Sequence, residues 1–237
     1  MMKRGILCFV LAVFIALPAV AAAEVHGVYI APKFLLGIQD TGPLKRNGVS
    51  SDEVKQYSQA VFGGALAVGY NFAPKFDFPV RTEIEFALRS GASNTQDGTW
   101  TEGMGVTGRF EGKQTTHLST LFFNAYFDID TGTPFTPYLG GGLGMAFNNT
   151  EVKFSGDSGS GESWNASKSS YKTTFAWNLG AGLAYAFTEN ISADLGYRFV
   201  WTGYNEVKGH WGDGGEKWKV GGSPYIHEFY LGARFTF

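Results

Sequence analysis

TTFAWNLGAGLAYAF, residues 173–187, alternates large apolar and small residues without a break. One parity reads Phe175, Trp177, Leu179, Ala181, Leu183, Tyr185 and Phe187, and the other Ala176, Asn178, Gly180, Gly182, Ala184 and Ala186. A period of two marks a β-strand, because successive side chains leave a strand on opposite faces. Glycine and alanine cannot fill an apolar core at the density of a protein interior. A soluble barrel built from such a strand would be hollow. The opposite assignment has a physical solution: the large residues face lipid, and the small ones line a narrow lumen.

The same division recurs along the chain. Ile191, Ala193, Leu195, Tyr197, Phe199 and Trp201 oppose Asp194, Gly196 and Arg198, and Val80, Ile84, Phe86 and Leu88 oppose Arg81, Glu83, Glu85 and Arg89. Alternating segments are expected at Val25–Ile38, Val61–Phe72, Val80–Ser90, Thr116–Ile129, Pro137–Asn148, Thr173–Phe187, Ile191–Tyr204 and Pro224–Phe237. Their connections alternate in length. Ala73–Pro79, Asp130–Thr136 and Thr188–Asn190 are short, whereas Gln39–Ala60, Gly91–Thr115, Asn149–Lys172 and Asn205–Ser223 are long. An even strand number with short-long alternation predicts an all-β fold. Its expected form is an eight-stranded antiparallel up-and-down transmembrane β-barrel, with short periplasmic turns and four long extracellular loops.

The N-terminus predicts export. Lys3 and Arg4 precede an apolar run from Gly5 to Val20, and Ala21-Ala22-Ala23 stand before Glu24. That order is the pattern of a cleaved signal peptide, expected over residues 1–23, with the barrel over 24–237. A membrane anchor is the competing reading, but the run is short for a span and no positive cluster follows it. Cys8 is the only cysteine, so the mature chain is expected to hold no disulfide and no thiolate site. A net charge of −2 argues against a nucleic-acid partner, since phosphate binding needs a basic surplus. Aromatic residues mark two expected membrane boundaries: Phe72, Tyr138, Tyr185, Phe187, Phe235 and Phe237 at the periplasmic ends, and Trp177, Trp201 and Tyr204 at the outer ends.

Two stretches carry a family resemblance. YLGARFTF, Tyr230–Phe237, resembles the carboxy-terminal signal of outer-membrane barrels, with Tyr230, Gly232, Phe235 and Phe237 at its characteristic positions. YFDIDTGTPFTPYLGGGLGMAFN, Tyr126–Asn148, resembles the fourth strand, turn and fifth strand of small OmpA-like and opacity-type porin-family proteins. The resemblance covers most of the mature chain and concerns the scaffold. It implies a Gram-negative outer-membrane location, contact with outer-membrane lipid and lipopolysaccharide, and recognition of the last strand by the barrel-assembly machinery. No peptidoglycan-binding domain is expected after the last strand, in contrast to full-length OmpA.

Charged residues of the inward parity predict a filled lumen. Lys33, Glu83, Glu85, Asp194, Arg198 and Arg234 count to similar depth from the periplasmic ends, with Arg89 and Glu228 higher. An eight-stranded barrel is only wide enough to be filled by its own side chains. Buried charges there must be paired or hydrated. An ion-pair plug is the expected result, and a narrow gated pore is the alternative.

One constellation invites an enzymatic reading. His117 and Ser119 lie on the lipid-facing parity near the outer end of the fourth strand, with Glu151 brought to roughly the same height by the hairpin. Serine, histidine and acid together are the groups used for acyl transfer. Outer-membrane lipid A deacylases, which this stretch distantly resembles, carry such a triad on the barrel surface, but their motif has Asn where Thr120 stands here. Interfacial polar residues at a strand end explain the same pattern.

The long loops carry Trp100, Trp164, Trp211 and Trp218 among Gly, Ser, Asn and Thr, a composition that fits a binding surface or a flexible cap. No metal-ligand cluster or phosphate-binding loop occurs, so no cofactor is expected. The expected function is a non-enzymatic surface protein whose loops meet a host or environmental ligand or stabilise the envelope. A low-conductance channel and a barrel-surface lipid A deacylase are the alternatives.

Overall fold

Period-two alternation becomes a closed wall. The computed structural model describes residues 26–40, 45–46, 49–50, 58–102, 106–157, 163–210 and 217–237; the expected signal peptide lies outside them. Eight strands make the wall: β1 (Val28–Asp40), β2 (Ser58–Asn71), β3 (Val80–Arg89), β4 (Val106–Asp128), β5 (Phe135–Asp157), β6 (Ser163–Ala186), β7 (Ile191–Trp201) and β8 (Tyr225–Thr236). Each pairs antiparallel with its neighbours in sequence. β1 then pairs with β8, with Leu35 opposite Tyr230 and Ile38 opposite His227, and this closes the barrel. Closure leaves no strand edge to the lipid, where an unpaired peptide group costs several kcal/mol, on the order of a transfer from water to hydrocarbon.

The faces divide as the alternation requires. Phe62, Leu143 and Leu179 point outward, each more than 60% exposed, while Lys33, Glu83, Glu85, Arg198 and Glu228 are buried inside. One boundary residue differs from expectation. Tyr138 does not belong to the periplasmic aromatic belt; it is buried in the lumen, because its even position on β5 shares the inward parity of Gly140, Gly142 and Ala146. Phe187 and Phe235 are exposed at that rim, and Phe135 packs its ring on Tyr185.

The three short connections are turns with local hydrogen bonds. Ala73–Phe76 forms a single helical turn, α1, ended by Asp77 in a left-handed conformation (φ 51). Asp130 accepts the Gly132 N–H at 2.9 Å, and the Thr188 hydroxyl accepts the N–H groups of Asn190 and Ile191 at 3.3 and 3.0 Å. Side chains that close turns in this way hold hairpin register.

The long connections depart from a loop description. β4, β5 and β6 run 23, 23 and 24 residues, about twice the 9–11 that cross a membrane. β3 breaks at Ser90 and Gly91, and the chain resumes as a strand, Ala92–Glu102, paired with the upper part of β4. Gly91–Thr115 and Asn149–Lys172, expected as loops, are therefore mostly strand. Their Gly, Ser and Asn content reads as turn, yet a neighbouring strand supplies the pairing that propensity alone does not. Across the mouth, Lys45–Arg46, Val49–Ser50, Asn205–His210 and Lys217–Gly222 form a smaller sheet joining the first and fourth connections.

Candidate functional site: a sealed lumen beneath a projecting sheet

Inward residues of β1, β3, β7 and β8 meet in one ladder of charges. The Lys33 ammonium bridges Glu83 and Glu85, the latter at 2.7 Å. Glu85 accepts from Arg198 Nη1 at 2.6 Å, and Arg198 Nε donates to Glu228 at 2.7 Å. Arg89 grips the same Glu228 with two hydrogen bonds, 2.7 and 3.0 Å, and reaches the Thr120 hydroxyl at 3.2 Å. Glu83, at the foot of the ladder, also accepts from the Tyr126 and Tyr29 hydroxyls at 2.9 and 3.2 Å and from the Asn124 amide at 3.3 Å. Burying these charges is costly, and close pairing of opposite charges is what makes the burial tolerable.

Below the ladder stand two further pairs. Arg81 holds Asp128 with two hydrogen bonds of 2.6 and 2.9 Å, and Arg234 lies 3.6 Å from Asp194. Among the expected lumen residues, Lys33, Glu83, Glu85 and Arg198 come together, while Asp194 and Arg234 pair with each other apart from them. The network holds five cations, Lys33, Arg81, Arg89, Arg198 and Arg234, against five carboxylates, Glu83, Glu85, Asp128, Asp194 and Glu228.

Above the ladder the lumen is closed a second time. Leu118, Phe122, Ala146, Ala176, Val200 and Ile226 form a buried apolar cluster inside the barrel. An ion crossing the barrel would have to break the pairs and then shed its water among these side chains.

Four tyrosines line the small cavity left beside Lys33, Arg81, Glu83 and Asp194, and reasoning from charge missed their role there. Tyr29, Tyr126, Tyr138 and Tyr230 stand directly opposite Gly69, Gly140, Gly182 and Gly196 on neighbouring strands. A Cβ at any of these glycines would come within 2.2–2.3 Å of the tyrosine side chain. The Tyr138 and Tyr230 hydroxyls bond at 3.0 Å, and Arg81 lies over the rings of Tyr126 and Tyr138. Inward glycines paired in register with inward tyrosines were the available sequence signal.

The other expected residues have these positions. His117 is exposed beside Gly91 and opposite Asn149, and Ser119 stands opposite Leu88 and Phe147. Glu151 stands opposite Thr115, one strand repeat above His117, and its carboxylate meets Lys153 at 3.2 Å. Among the described residues, no hydrogen bond joins His117, Ser119 and Glu151. In the last strand Tyr230 and Gly232 face inward, Phe235 faces outward, and the Phe237 N–H donates to the Val28 carbonyl at 2.8 Å. Trp211 lies outside the described residues, as do the side chains of Trp100, Trp164 and Trp218. The backbone register sets Trp100 opposite Gly108, Trp164 opposite Gly156 and Trp218 opposite Gly209.

Comparison with known proteins supports the wall as a whole. Residues 7–237 match the family model of the outer membrane protein beta-barrel domain. Outer membrane protein PagN of Salmonella typhimurium is 29% identical over 246 residues, covering 100% of both chains. A protein of Rickettsia conorii whose name marks it as a candidate adhesin is 24% identical, over 75% of this chain and 68% of its own. Among solved structures, Neisserial surface protein A shares the fold with a TM-score of 0.52 at 19% identity, covering 89% of this chain and 99% of its own. The barrel thus lies in a bacterial outer membrane, and the chain belongs to the outer membrane protein β-barrel domain family.

Proposed function

We propose that this protein is a non-enzymatic surface anchor: a non-conducting barrel that holds a projecting β-sheet for contact with a host or environmental surface. The observation that carries this reading is the unequal use of the chain. The lumen is shut by a charge-balanced ladder and again by an apolar cluster, while β4, β5 and β6 spend about half their length above the membrane. A transport protein would need the reverse. The names of PagN as an outer membrane protein and of the Rickettsia relative as a candidate adhesin agree with a surface role. Residues 1–23 are proposed as the leader removed during export, which the N-terminal residue of protein recovered from outer membranes reports.

The test joins two measurements on one protein. Attachment of a non-adherent bacterium to cultured cells should rise on expression of the chain, and should fall to background when residues 94–114 and 151–170 are replaced by short turns. Single-barrel recordings of the parent should show near-zero current. Large steady currents, or full attachment by the trimmed barrel, would overturn the reading.

A further inference from the structure

On the outer wall of β7 and β8 two polar side chains face lipid together. The Tyr197 hydroxyl and His227 Nδ1 lie 2.6 Å apart, with the rings stacked at 20° and 6.1 Å between centroids. Their surroundings are apolar and aromatic. His227 stands opposite Ile38 on β1 and Phe199 on β7, and Phe199 and Tyr225 present ring edges or tilted faces to it at 5.4 and 5.6 Å. Phe229 lies 5.2 Å from Tyr197. A hydrogen-bonded His–Tyr pair on a lipid-facing wall is an expensive choice, and polar groups kept at such positions have a use.

Depth indicates what the pair meets. Above it, one strand repeat from His227 and two from Tyr197, Trp177, Trp201 and Tyr225 stand in one row across β6, β7 and β8, the outer interfacial belt. One strand repeat is about 6.6 Å, and a tilt of about 40° makes this roughly 5 Å of depth. At that level head groups give way to acyl chains, and the ester and amide carbonyls of the outer leaflet lie there.

A neutral histidine has one N–H and the tyrosine one O–H, so the pair owns two donors. Their mutual bond uses one. Whichever tautomer is present, one donor remains on the lipid side, either His227 Nε2–H or the Tyr197 O–H. A lipid carbonyl is the acceptor found at this depth.

We infer that Tyr197 and His227 form a binding site for an acyl carbonyl of outer-leaflet lipid A. The aromatic rings of Phe199 and Tyr225 flank its acyl chains. This site depends on the orientation of the barrel and not on adhesion, so loss of attachment by the trimmed barrel leaves it standing.

The experiment compares the refolded full chain with Tyr197→Phe, His227→Phe and, as a control in the same patch, Phe229→Leu. Heat-modifiable gel migration verifies that each is folded. Each is titrated with lipid A and, separately, with phosphatidylethanolamine of equal acyl length, and bound lipid is counted by native mass spectrometry. The parent should retain lipid A in preference to phosphatidylethanolamine. Both polar variants should weaken lipid A binding about fivefold, the scale of one lost hydrogen bond, while Phe229→Leu stays within about twofold. Unchanged lipid A binding in both polar variants, equal loss of both lipids, or no preference in the parent would overturn the assignment.

Discussion

The lower lumen and the projecting sheet place aromatic residues by the same rule and use them differently. In the lumen each of four tyrosines lies opposite a glycine, and in the projecting sheet Trp100, Phe110, Phe154 and Trp164 stand opposite Gly108, Gly98 and Gly156, Gly112, and Gly156. Opposition of this kind lets a large ring cover bare backbone across a strand pair. Inside the barrel a facing wall stands beyond the ring, so each ring is locked and its hydroxyl is held in the network. Beyond the barrel wall, no strand pairing among the described residues closes the projecting sheet, and Arg109, Lys113 and Lys153 are exposed on it. Glycine in a narrow barrel is therefore no sign of empty space. It is the counterpart of a large residue one strand away.

The contrast makes the lumen sensitive to substitution and the sheet tolerant. The largest effect is expected at Glu85, which accepts from both Lys33 and Arg198. Glu85→Gln should destabilise the barrel by about 3–5 kcal/mol in urea unfolding, because the partners stay buried with one carboxylate fewer. Current through the variant should remain near zero. Raised conductance with unchanged stability would turn the plug into a gate.

A smaller loss should follow Gly196→Ala, whose Cβ would lie 2.3 Å from Tyr230 Cζ. Overpacking of this kind costs about 1–3 kcal/mol, and the same substitution at Gly98, a half-buried glycine of the projecting sheet, should leave the unfolding midpoint of the barrel unmoved. Equal losses at both glycines would mean that the sheet is as enclosed as the lumen. Trp100→Ala combined with Trp164→Ala should lower cell attachment without shifting barrel melting, and attachment at the parental level would remove the tryptophans from the contact surface. The smallest effect is expected at Ser119: lipid A from cells expressing Ser119→Ala should carry the parental number of acyl chains. A Ser119-dependent change would restore the enzymatic reading.

Much of the wall was legible because period two is read directly from neighbours in sequence. The inward set on β3, Arg81, Glu83, Glu85 and Arg89, needed only parity. The continuity of the ladder was not legible. Arg89 and Glu228 meet across the lumen, at a separation of 139 residues, and depend on how the closed strands are staggered. Tyr138 was misplaced because its distance from the turn was weighed and its parity was not. The projecting sheet was hidden by composition, since Gly, Ser and Asn suit turns when read singly and pair as strand when a partner runs beside them.

Charge balance in the lumen has an electrical consequence. A membrane potential does work only on net charge displaced across it, about 2.3 kcal/mol per elementary charge for each 100 mV. Lys33, Glu85, Arg198, Glu228 and Arg89 alternate in sign along the ladder, and the whole network sums five positive groups against five negative. Shifting the ladder as a body would carry almost no gating charge. Among the described residues, a Donnan potential across the outer membrane finds no net charge in this ladder to pull.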